Sequence, residues 1–182
     1  ERGDRADLIL EAAERLELMP EAILLTHGHF DHIMAANELK AAWHVPVYAC
    51  KKEEEIMGDW EKNLVASYYD TPYTVEADVL VEEGDTFEAG GFVWKVLETP
   101  AHTTRSCCYY LEKEKVLFSG DTLFCGSYGR TDLPTGSGRM IIGSVTRLLK
   151  ELPDDVMVYP GHMDETTIGF EKKNNPLARF LK

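Results

Sequence analysis

The stretch "THGHFDH" at positions 26–32 follows the short apolar run "AILL" and holds three of the six histidines in the chain. A short apolar run between turn residues is consistent with a buried strand, so these histidines come where a strand ends. In an extended chain, residues two apart point to the same side, and His27 and His29 can therefore face one ion. Asp31 and His32 follow with the same reach and can serve a second ion.

An alternative for this stretch is that Asp31 caps a helix beginning at His32, and that the histidines are ordinary loop residues. That interpretation is the better one for a single histidine. It is less favourable for the cluster, because imidazoles that bind nothing gain little from one another and repel once protonated. The spacing H-x-H-x-D-H therefore favours metal binding.

Three further apolar runs end in the same way, at "LETPAH", "LFSGD" and "VYPGH", which place His102, Asp121 and His162 at strand ends. Taken singly, each could be a loop or turn residue. Taken together with the first stretch, they supply five imidazoles and two carboxylates, enough for two ions with one carboxylate bridging. Such a ligand set suits zinc, iron or manganese. Only His44 falls outside the pattern, and we interpret it as structural.

Hydrophobic periodicity predicts the remaining elements. The predicted helices are residues 6–18, with Leu8, Ala12 and Leu16 on one face, 32–43, 53–69 with Gly58 as a weak point, 140–152 and 164–173. The predicted strands are "AILLT", "VPVYAC", short antiparallel runs in 78–100, a hairpin over 107–121 with its turn near 112–114, and "VMVYP". No linker or repeat interrupts the pattern, so we predict a single domain over residues 1–182.

Composition excludes several classes of function. The formal net charge of -13 repels phosphate backbones, so we expect no nucleic-acid partner. No segment approaches the roughly 20 apolar residues that cross a bilayer, so we expect no membrane association. The four cysteines form no CxxC pair, which favours reduced packing residues in a cytoplasmic protein.

The motifs "THGHFDH", "TPAHT", "FSGDTLFCGSYGRTD" and "VYPGH", in this order, resemble the metallo-β-lactamase fold superfamily, and within it the short glyoxalase II-like hydrolases. The resemblance implies an α+β fold, an αββα sandwich of two mixed β-sheets with helices on the outer faces and metals at one rim. The strands that precede the first helix in that family are missing before Glu1. We therefore expect a sheet edge covered by further chain or by a second copy in a homodimer.

Carried over by position, the resemblance implies two divalent metal ions, with zinc the first choice and iron or manganese the alternatives. Asp121 would bridge the two ions, and an aspartate there disfavours the β-lactamases proper, which have cysteine or serine at that point. The other implied ligands are His27, His29 and His102 for one ion and Asp31, His32 and His162 for the other.

The implied activity is hydrolysis of a thioester, such as an S-hydroxyacylglutathione, by a metal-bridging hydroxide. The catalytic residues would be Asp121 and Asp31, the latter orienting the nucleophile. Tyr128 and Arg130 are candidates for binding a glutathione carboxylate, Arg130 through its bidentate fork. The alternative for Arg130 is a salt bridge to a neighbour such as Asp132.

Two other functions stay open. Persulfide dioxygenases, which are mononuclear iron enzymes, share H-x-H-x-D-H and "GRTD", and a catalytically impaired fragment is also consistent with the missing strands. The family pattern "TPGHTPGS" is replaced here by "TPAHTTRS", so Ala101 and Arg105 stand where glycines are usual. If either position needs a positive φ, the substitution costs about 1 kcal/mol or more.

Overall fold

Two β-sheets lie face to face in the computed structural model, which describes residues 3–181. The strands occupy these ranges: β1 Ile23–Leu25, β2 Val47–Cys50, β3 Val79–Val81, β4 Thr86–Ala89, β5 Phe92–Glu98, β6 Cys107–Leu111, β7 Val116–Gly120, β8 Leu123–Phe124, β9 Ser127–Tyr128, β10 Met157–Pro160 and β11 Thr166–Thr167. The smaller sheet has the order β1-β2-β3, with parallel strands. The larger sheet is mixed, with the order β11-β10-β7-β6-β5-β4, and β8 and β9 form a separate hairpin.

Helices cover the outer faces of the two sheets. They occupy these ranges: α1 Ala6–Arg15, α2 Phe30–Ile33, α3 Ala36–Trp43, α4 Glu54–Met57, α5 Gly138–Glu151 and α6 Ile168–Asn174, with 3-10 turns at Lys51–Glu53, Val65–Ser67 and Pro176–Phe180. The α+β sandwich with outer helices that the resemblance implies is therefore confirmed. The hairpin prediction is also confirmed, because β6 and β7 pair around a turn at residues 112–115.

Three apolar layers hold the sandwich together. Between the sheets, Tyr109 is buried against Val81 and Val96, and its hydroxyl donates a 3.0 Å hydrogen bond to the carbonyl of Leu25 in the opposite sheet. A second cluster packs α5 and α6 onto the larger sheet, and a third packs α3 and α4 onto the smaller one. Burial of one large side chain contributes about 2–3 kcal/mol, so each layer is a substantial stabilising term.

Two of the helices predicted as continuous are interrupted in the structure, so these two predictions are wrong. The helix predicted over 32–43 is split into α2 and α3, because the Ala35 amide donates to the carbonyl of Gly3 at 2.6 Å. The helix predicted over 53–69 ends at Gly58, and Leu64 takes a left-handed conformation with φ 70° that no α-helix accommodates. Both breaks leave short helices next to the histidine cluster.

The ends of two other helices also differ from their predictions. Helix α1 ends at Arg15, because Glu17 adopts φ 53°, and Leu16 is 60% exposed instead of lying on the apolar face. Helix α6 begins at Ile168 and not at 164, because β11 pairs with β10 first and the Thr167 hydroxyl then caps the helix by accepting from the Phe170 amide at 3.1 Å.

The described part of the chain has no helix with the length and apolar composition needed to cross a membrane. Strand β1 is the first strand of residues 3–181 and lies at an edge of its sheet. His44 ends α3 in the left-handed conformation, with φ 56°, and belongs to none of the clusters of potential metal ligands among these residues. Its interpretation as structural is consistent with that position.

Candidate metal centre

Four strand ends meet at one rim of the sandwich. His27 follows β1, His102 follows β5, Asp121 follows β7 and His162 follows β10. The short helix α2 begins at Phe30 and places Asp31 and His32 beside them. The structure therefore brings together all seven residues that the sequence predicts as ligands. A rigid sheet can hold polar groups in fixed relative positions, as such a cluster requires.

The first group of candidate ligands, the buried group, consists of His27, His29 and His102. One ring nitrogen of each lies within 4.8 Å of those of the other two, and the residues are only 1%, 2% and 4% exposed. His29 Nδ1 and His102 Nε2 are 2.8 Å apart. Three inward-facing imidazoles in this geometry can hold one divalent ion.

The second group, the open group, consists of Asp31, His32 and His162. Their ligand atoms also lie within 4.8 Å of one another, and Asp31 Oδ2 is 3.1 Å from His162 Nε2 and 3.7 Å from His32 Nε2. The His162 side chain is 47% exposed and that of Asp31 32% exposed, whereas that of His32 is only 5% exposed, so the group opens to solvent on the side of Asp31 and His162. It differs from the buried group in carrying a carboxylate.

Asp121 lies between the two groups and faces both. Its Oδ1 is 3.3 Å from His32 Nε2, while its Oδ2 is 3.4 Å from His102 Nε2 and 3.5 Å from His162 Nε2. The carboxylate is 7% exposed. A buried carboxylate that approaches members of both groups in this way is placed to act as a bridging ligand.

Two features of the cluster fit bound cations. His27 Nε2 and His29 Nε2 are buried and have no hydrogen-bond partner among residues 3–181, and a buried polar atom without a partner costs about 1–3 kcal/mol. Gly161 leaves the space at the centre open, because a Cβ there would lie 2.4 Å from Asp121 Oδ1 and 2.6 Å from His32 Cε1. The donor set, its convergence and this space together suit a pair of divalent ions.

Neighbouring groups orient two of the imidazoles. His102 Nδ1 donates to the carbonyl of Arg130 at 2.7 Å, which leaves the lone pair of Nε2 directed at the cluster. The Thr26 hydroxyl lies 3.2 Å from His27 Nδ1 and fixes that ring in the same manner. Outer contacts of this kind select the tautomer that a metal ligand needs.

Burial also keeps the imidazoles neutral. Removal from water lowers the pKa of His27 well below its ordinary value and lowers that of His29 to about 3, and the neighbouring imidazoles add to both shifts. Burial likewise lowers the pKa of His102, although the negative charge of Asp121 opposes the shift. A neutral imidazole has a free lone pair, so the buried group is ready to bind a cation at neutral pH.

A cavity of about 380 Å³ opens onto the cluster. Its apolar wall includes Phe30 and Tyr68, whose rings stack with centroids 4.5 Å apart, and the predicted substrate residues Tyr128 and Arg130 also line it. The Arg130 guanidinium is engaged with Asp132 through two hydrogen bonds of 2.7 and 2.8 Å, as the alternative from the sequence describes. Both side chains of that pair are more than 60% exposed, so a ligand can compete with Asp132.

Neither residue that departs from the family pattern strains the backbone. Ala101 is fully buried, and neither it nor Arg105 has a positive φ. Arg105 pairs with Glu55 at 2.9 Å and donates to the carbonyl of Lys52 at 3.1 Å. The replacement of both glycines therefore carries no conformational penalty of the kind considered above.

Sequence reasoning missed two buried carboxylates, one of which contacts the histidine loops. Glu53 accepts from the backbone amide of Gly28 and from the hydroxyl of Thr103, and Glu171 accepts from the amide of Gly126. Both look like solvated charges in the sequence. The available signal for Glu53 is its position, because it follows the end of β2, which is parallel to β1 and ends at the same edge.

Convergent imidazoles and carboxylates at the open rim of an αββα sandwich are the features of a metal-dependent hydrolase. The family model of the metallo-beta-lactamase superfamily matches residues 2–162. The chain belongs to this superfamily. The match includes all four strand ends that carry the candidate ligands.

Three similar proteins narrow the assignment within the superfamily. Hydroxyacylglutathione hydrolase GloC of Haemophilus influenzae is 33% identical over 178 residues, which cover 96% of this chain and 83% of GloC. The crystal structure of BLEG-1, a B3 metallo-beta-lactamase, superposes with a TM-score of 0.89 at 38% identity and covers 99% of this chain and 86% of its own. That of TTHA1623 in a di-iron-bound form has a TM-score of 0.84 at 35% identity and covers 96% and 85%. Of the three, GloC supports a glyoxalase II-like member of the superfamily.

Proposed function

We propose that the protein is a dinuclear hydrolase of thioesters, with an S-hydroxyacylglutathione as the model substrate. The observation that carries the proposal is the pair of ligand groups joined by Asp121 at the floor of the cavity. The name of GloC supports the thioester, and the di-iron form of TTHA1623 supports two ions. Zinc is our first choice for both ions, and iron is the alternative that TTHA1623 favours.

Two divalent ions supply the chemistry that acyl hydrolysis needs, because they lower the pKa of water and polarise a carbonyl group. In the proposed mechanism, His27, His29 and His102 would hold one ion. Asp31, His32 and His162 would hold the other. Asp121, whose carboxylate is near His102 of the first set and near His32 and His162 of the second, would be shared by the two sites.

Asp31 has a second role in the proposed reaction. Its Oδ2 is near His162 Nε2, while the carboxylate also lines the cavity and is partly exposed. Its other oxygen can accept a hydrogen bond from the attacking water and orient it towards the substrate carbonyl. The departing thiolate is a good leaving group, so no strong general acid is required on the far side of the cavity.

The walls of the cavity limit the access of water and position the acyl group. The stacked rings of Phe30 and Tyr68 form one wall, and Tyr128 lies on the hairpin β8–β9. An apolar wall lowers the local dielectric constant and strengthens the interactions of the carbonyl oxygen as charge develops on it. We assign Tyr128 and Arg130 to the thiol portion of the substrate, with Arg130 exchanging Asp132 for a substrate carboxylate.

Elemental analysis of the purified protein, followed by thioester hydrolysis with and without a chelator, tests the proposal. We expect close to two zinc or iron ions per chain and hydrolysis that is lost on chelation and restored by added metal. A protein that holds two ions per chain and leaves every thioester intact would contradict the assignment of the substrate class.

The same assay should contain two comparison reactions. A β-lactam is included because BLEG-1 is named a B3 metallo-beta-lactamase. The ring nitrogen of a β-lactam is, however, a poorer leaving group than the thiolate of a thioester. A persulfide with oxygen uptake as the readout tests the mononuclear iron alternative. That alternative leaves the open group without a metal, so one iron per chain together with oxygen uptake would favour it over hydrolysis.

We also place this reaction in the cytoplasm. Cys50, Cys107, Cys108 and Cys125 are all free thiols, and the first three are buried. Proteins with several unpaired cysteines are typical of reducing compartments. Fractionation of cells that express the full-length protein, with enzymatic activity as the readout, tests the location.

A further inference from the structure

Glu53 is a fully buried carboxylate that the proposed mechanism does not use. Its Oε2 accepts a 2.8 Å hydrogen bond from the backbone amide of Gly28, and its Oε1 accepts a hydrogen bond from the hydroxyl of Thr103. Both oxygens are therefore engaged with groups that are distant in the sequence. Burial raises the pKa of this carboxyl to about 7, while the two hydrogen bonds oppose that shift.

The two donors lie within the two loops that carry the buried group. Gly28 is between His27 and His29 at the end of β1, and Thr103 directly follows His102 at the end of β5. These strands belong to different sheets. Glu53 therefore connects the two segments whose separation sets the distances among the three imidazoles.

Packing around Gly28 strengthens this connection. A Cβ at position 28 would lie 2.9 Å from Cγ of Met57 and 3.0 Å from Cγ2 of Ile56, so the loop fits closely against α4. Helix α4 begins directly after Glu53. The short 3-10 turn and α4 hold Glu53 by its backbone, and the carboxylate in turn holds both ligand loops.

We propose that Glu53 is a positioning residue that sets the geometry and metal affinity of the buried group by joining its two loops. The inference rests on the proposed role of His27, His29 and His102 as metal ligands. Glu53 contacts the amide of Gly28 and the hydroxyl of Thr103, and its role is to keep the two loops at the separation that one ion requires. Outer contacts of metal ligands typically change affinity by about 10- to 100-fold.

Four variants distinguish positioning from general stability. Glu53→Ala removes both hydrogen bonds, and Thr103→Val removes one of them while preserving the shape of the side chain. Glu53→Gln retains both, because its amide oxygen accepts from Gly28 and its NH2 group can donate to the Thr103 hydroxyl, which is able to rotate. Glu171→Ala is the matched control: Glu171 is equally buried and accepts hydrogen bonds from loop groups, but it contacts neither ligand loop.

Zinc affinity is measured for each metal-free variant by competition with a chromophoric chelator, and thermal unfolding of the metal-free protein is measured in parallel. We expect Glu53→Ala to weaken binding of the tighter zinc ion 10- to 100-fold and Thr103→Val to weaken it several-fold. Glu53→Gln should stay within about threefold of wild type. Glu171→Ala should lower the unfolding temperature without moving the affinity by more than about threefold.

A double variant tests whether Thr103 acts through Glu53. If it does, adding Thr103→Val to Glu53→Ala causes no further loss of zinc affinity, because the shared hydrogen bond is already gone. The visible spectrum of the cobalt(II)-substituted protein provides a second readout, and its band positions should change in Glu53→Ala and not in Glu171→Ala.

The outcomes separate this inference from the proposed function. If Glu53→Ala and Thr103→Val bind zinc as wild type does, or if Glu53→Ala loses only stability as Glu171→Ala does, the positioning role is overturned. Should Glu53→Ala fail to fold, the affinities of Thr103→Val and Glu53→Gln still decide the matter. Wild type that binds two ions but hydrolyses no thioester overturns the proposed function alone, and wild type that binds no zinc overturns both.

Discussion

The buried group and the open group differ in the way each can hold a cation. His27, His29 and His102 are neutral imidazoles almost without contact with solvent, oriented by the carbonyl of Arg130 and the hydroxyl of Thr26. The open group includes the carboxylate of Asp31, and its third member, His162, has a half-exposed side chain. One group is preorganised inside the protein, and the other is shaped in part by solvent.

This difference suggests a division of labour between the groups. A preorganised, desolvated set of imidazoles binds a cation without reorganisation and releases it slowly. A solvent-facing set with a carboxylate can exchange its ion and can admit a water molecule and a substrate. The buried group would thus anchor the centre, and the open group would present the reacting water to the cavity.

The largest effect is expected when the residue shared by both groups is removed. Asp121→Ala takes away the carboxylate that faces His32 on one side and His102 on the other. Loss of several kcal/mol of charge stabilisation corresponds to a fall of about 1,000-fold or more in thioester hydrolysis. Metal content should fall with it. Asp155→Ala, which alters an exposed carboxylate, is the control, and full activity with two ions in Asp121→Ala would refute the bridging role.

Removal of one ligand from each group sharpens the comparison. His162→Ala should keep about one zinc ion per chain after gel filtration, because the buried group is intact. His29→Ala should lose the anchoring ion and bind zinc more weakly overall. Both variants should lose most hydrolysis, by about 100-fold or more. Equal metal content in the two variants, measured by elemental analysis, would mean that the groups do not differ in affinity.

The pH dependence of the unfolding free energy of the metal-free protein tests whether the buried group is shielded from solvent. The folded-state pKa of each of its histidines is depressed, so the unfolded chain binds more protons below its own pKa of about 6.5, and stability falls as the pH decreases. Between pH 7.5 and 5.5, His27 and His29 should each cost about 1.4 kcal/mol of unfolding free energy. His29→Asn should reduce that loss by this amount, as measured by chemical denaturation, and replacement of the exposed His44 is the control. An unchanged pH slope in His29→Asn would show that its ring is accessible to protons in the folded state.

The smallest effect on activity is expected from the exposed ion pair between Arg130, which lines the cavity, and Asp132. Asp132→Asn frees Arg130 from its bidentate partner, and an exposed ion pair is worth about 0–1 kcal/mol. We therefore expect KM for an S-acylglutathione to fall by no more than about fivefold, with kcat unchanged. The same variant should leave KM unchanged for a thioester whose thiol has no carboxylate. A rise in KM for the anionic substrate would argue against the assignment of Arg130.

The positions of the candidate ligands were accessible from the sequence because strand ends are local features. Each apolar run and the polar turn after it could be recognised on its own, and parallel or neighbouring strands bring such ends to one rim. The pattern could therefore predict that polar residues at the strand ends, such as His27 and Asp121, converge at one rim. It could not predict that Asp31 and His162 would be open to solvent while His29 is buried, since burial depends on how the two sheets close over the rim.

The buried carboxylates were not predictable from local pattern. Glu53 stands in the run "KKEEE", where three consecutive glutamates look equally solvated. Only the first of them, Glu53, is buried against the histidine loops, because of the turn that follows β2. The helix predicted over 53–69 concealed that turn. The break at Gly58 and the left-handed Leu64 depend on packing against the histidine loop, including the hydrogen bond from the Phe30 amide to the carbonyl of Asn63 at 2.9 Å.

The most direct measurement is a crystal structure of the protein grown with zinc, with anomalous diffraction recorded on both sides of the zinc absorption edge. We predict two anomalous peaks on either side of the Asp121 carboxylate, one within bonding distance of His27, His29 and His102 and the other within bonding distance of Asp31, His32 and His162. Crystals with zinc bound elsewhere, but with no anomalous peak beside Asp121, would contradict the dinuclear centre.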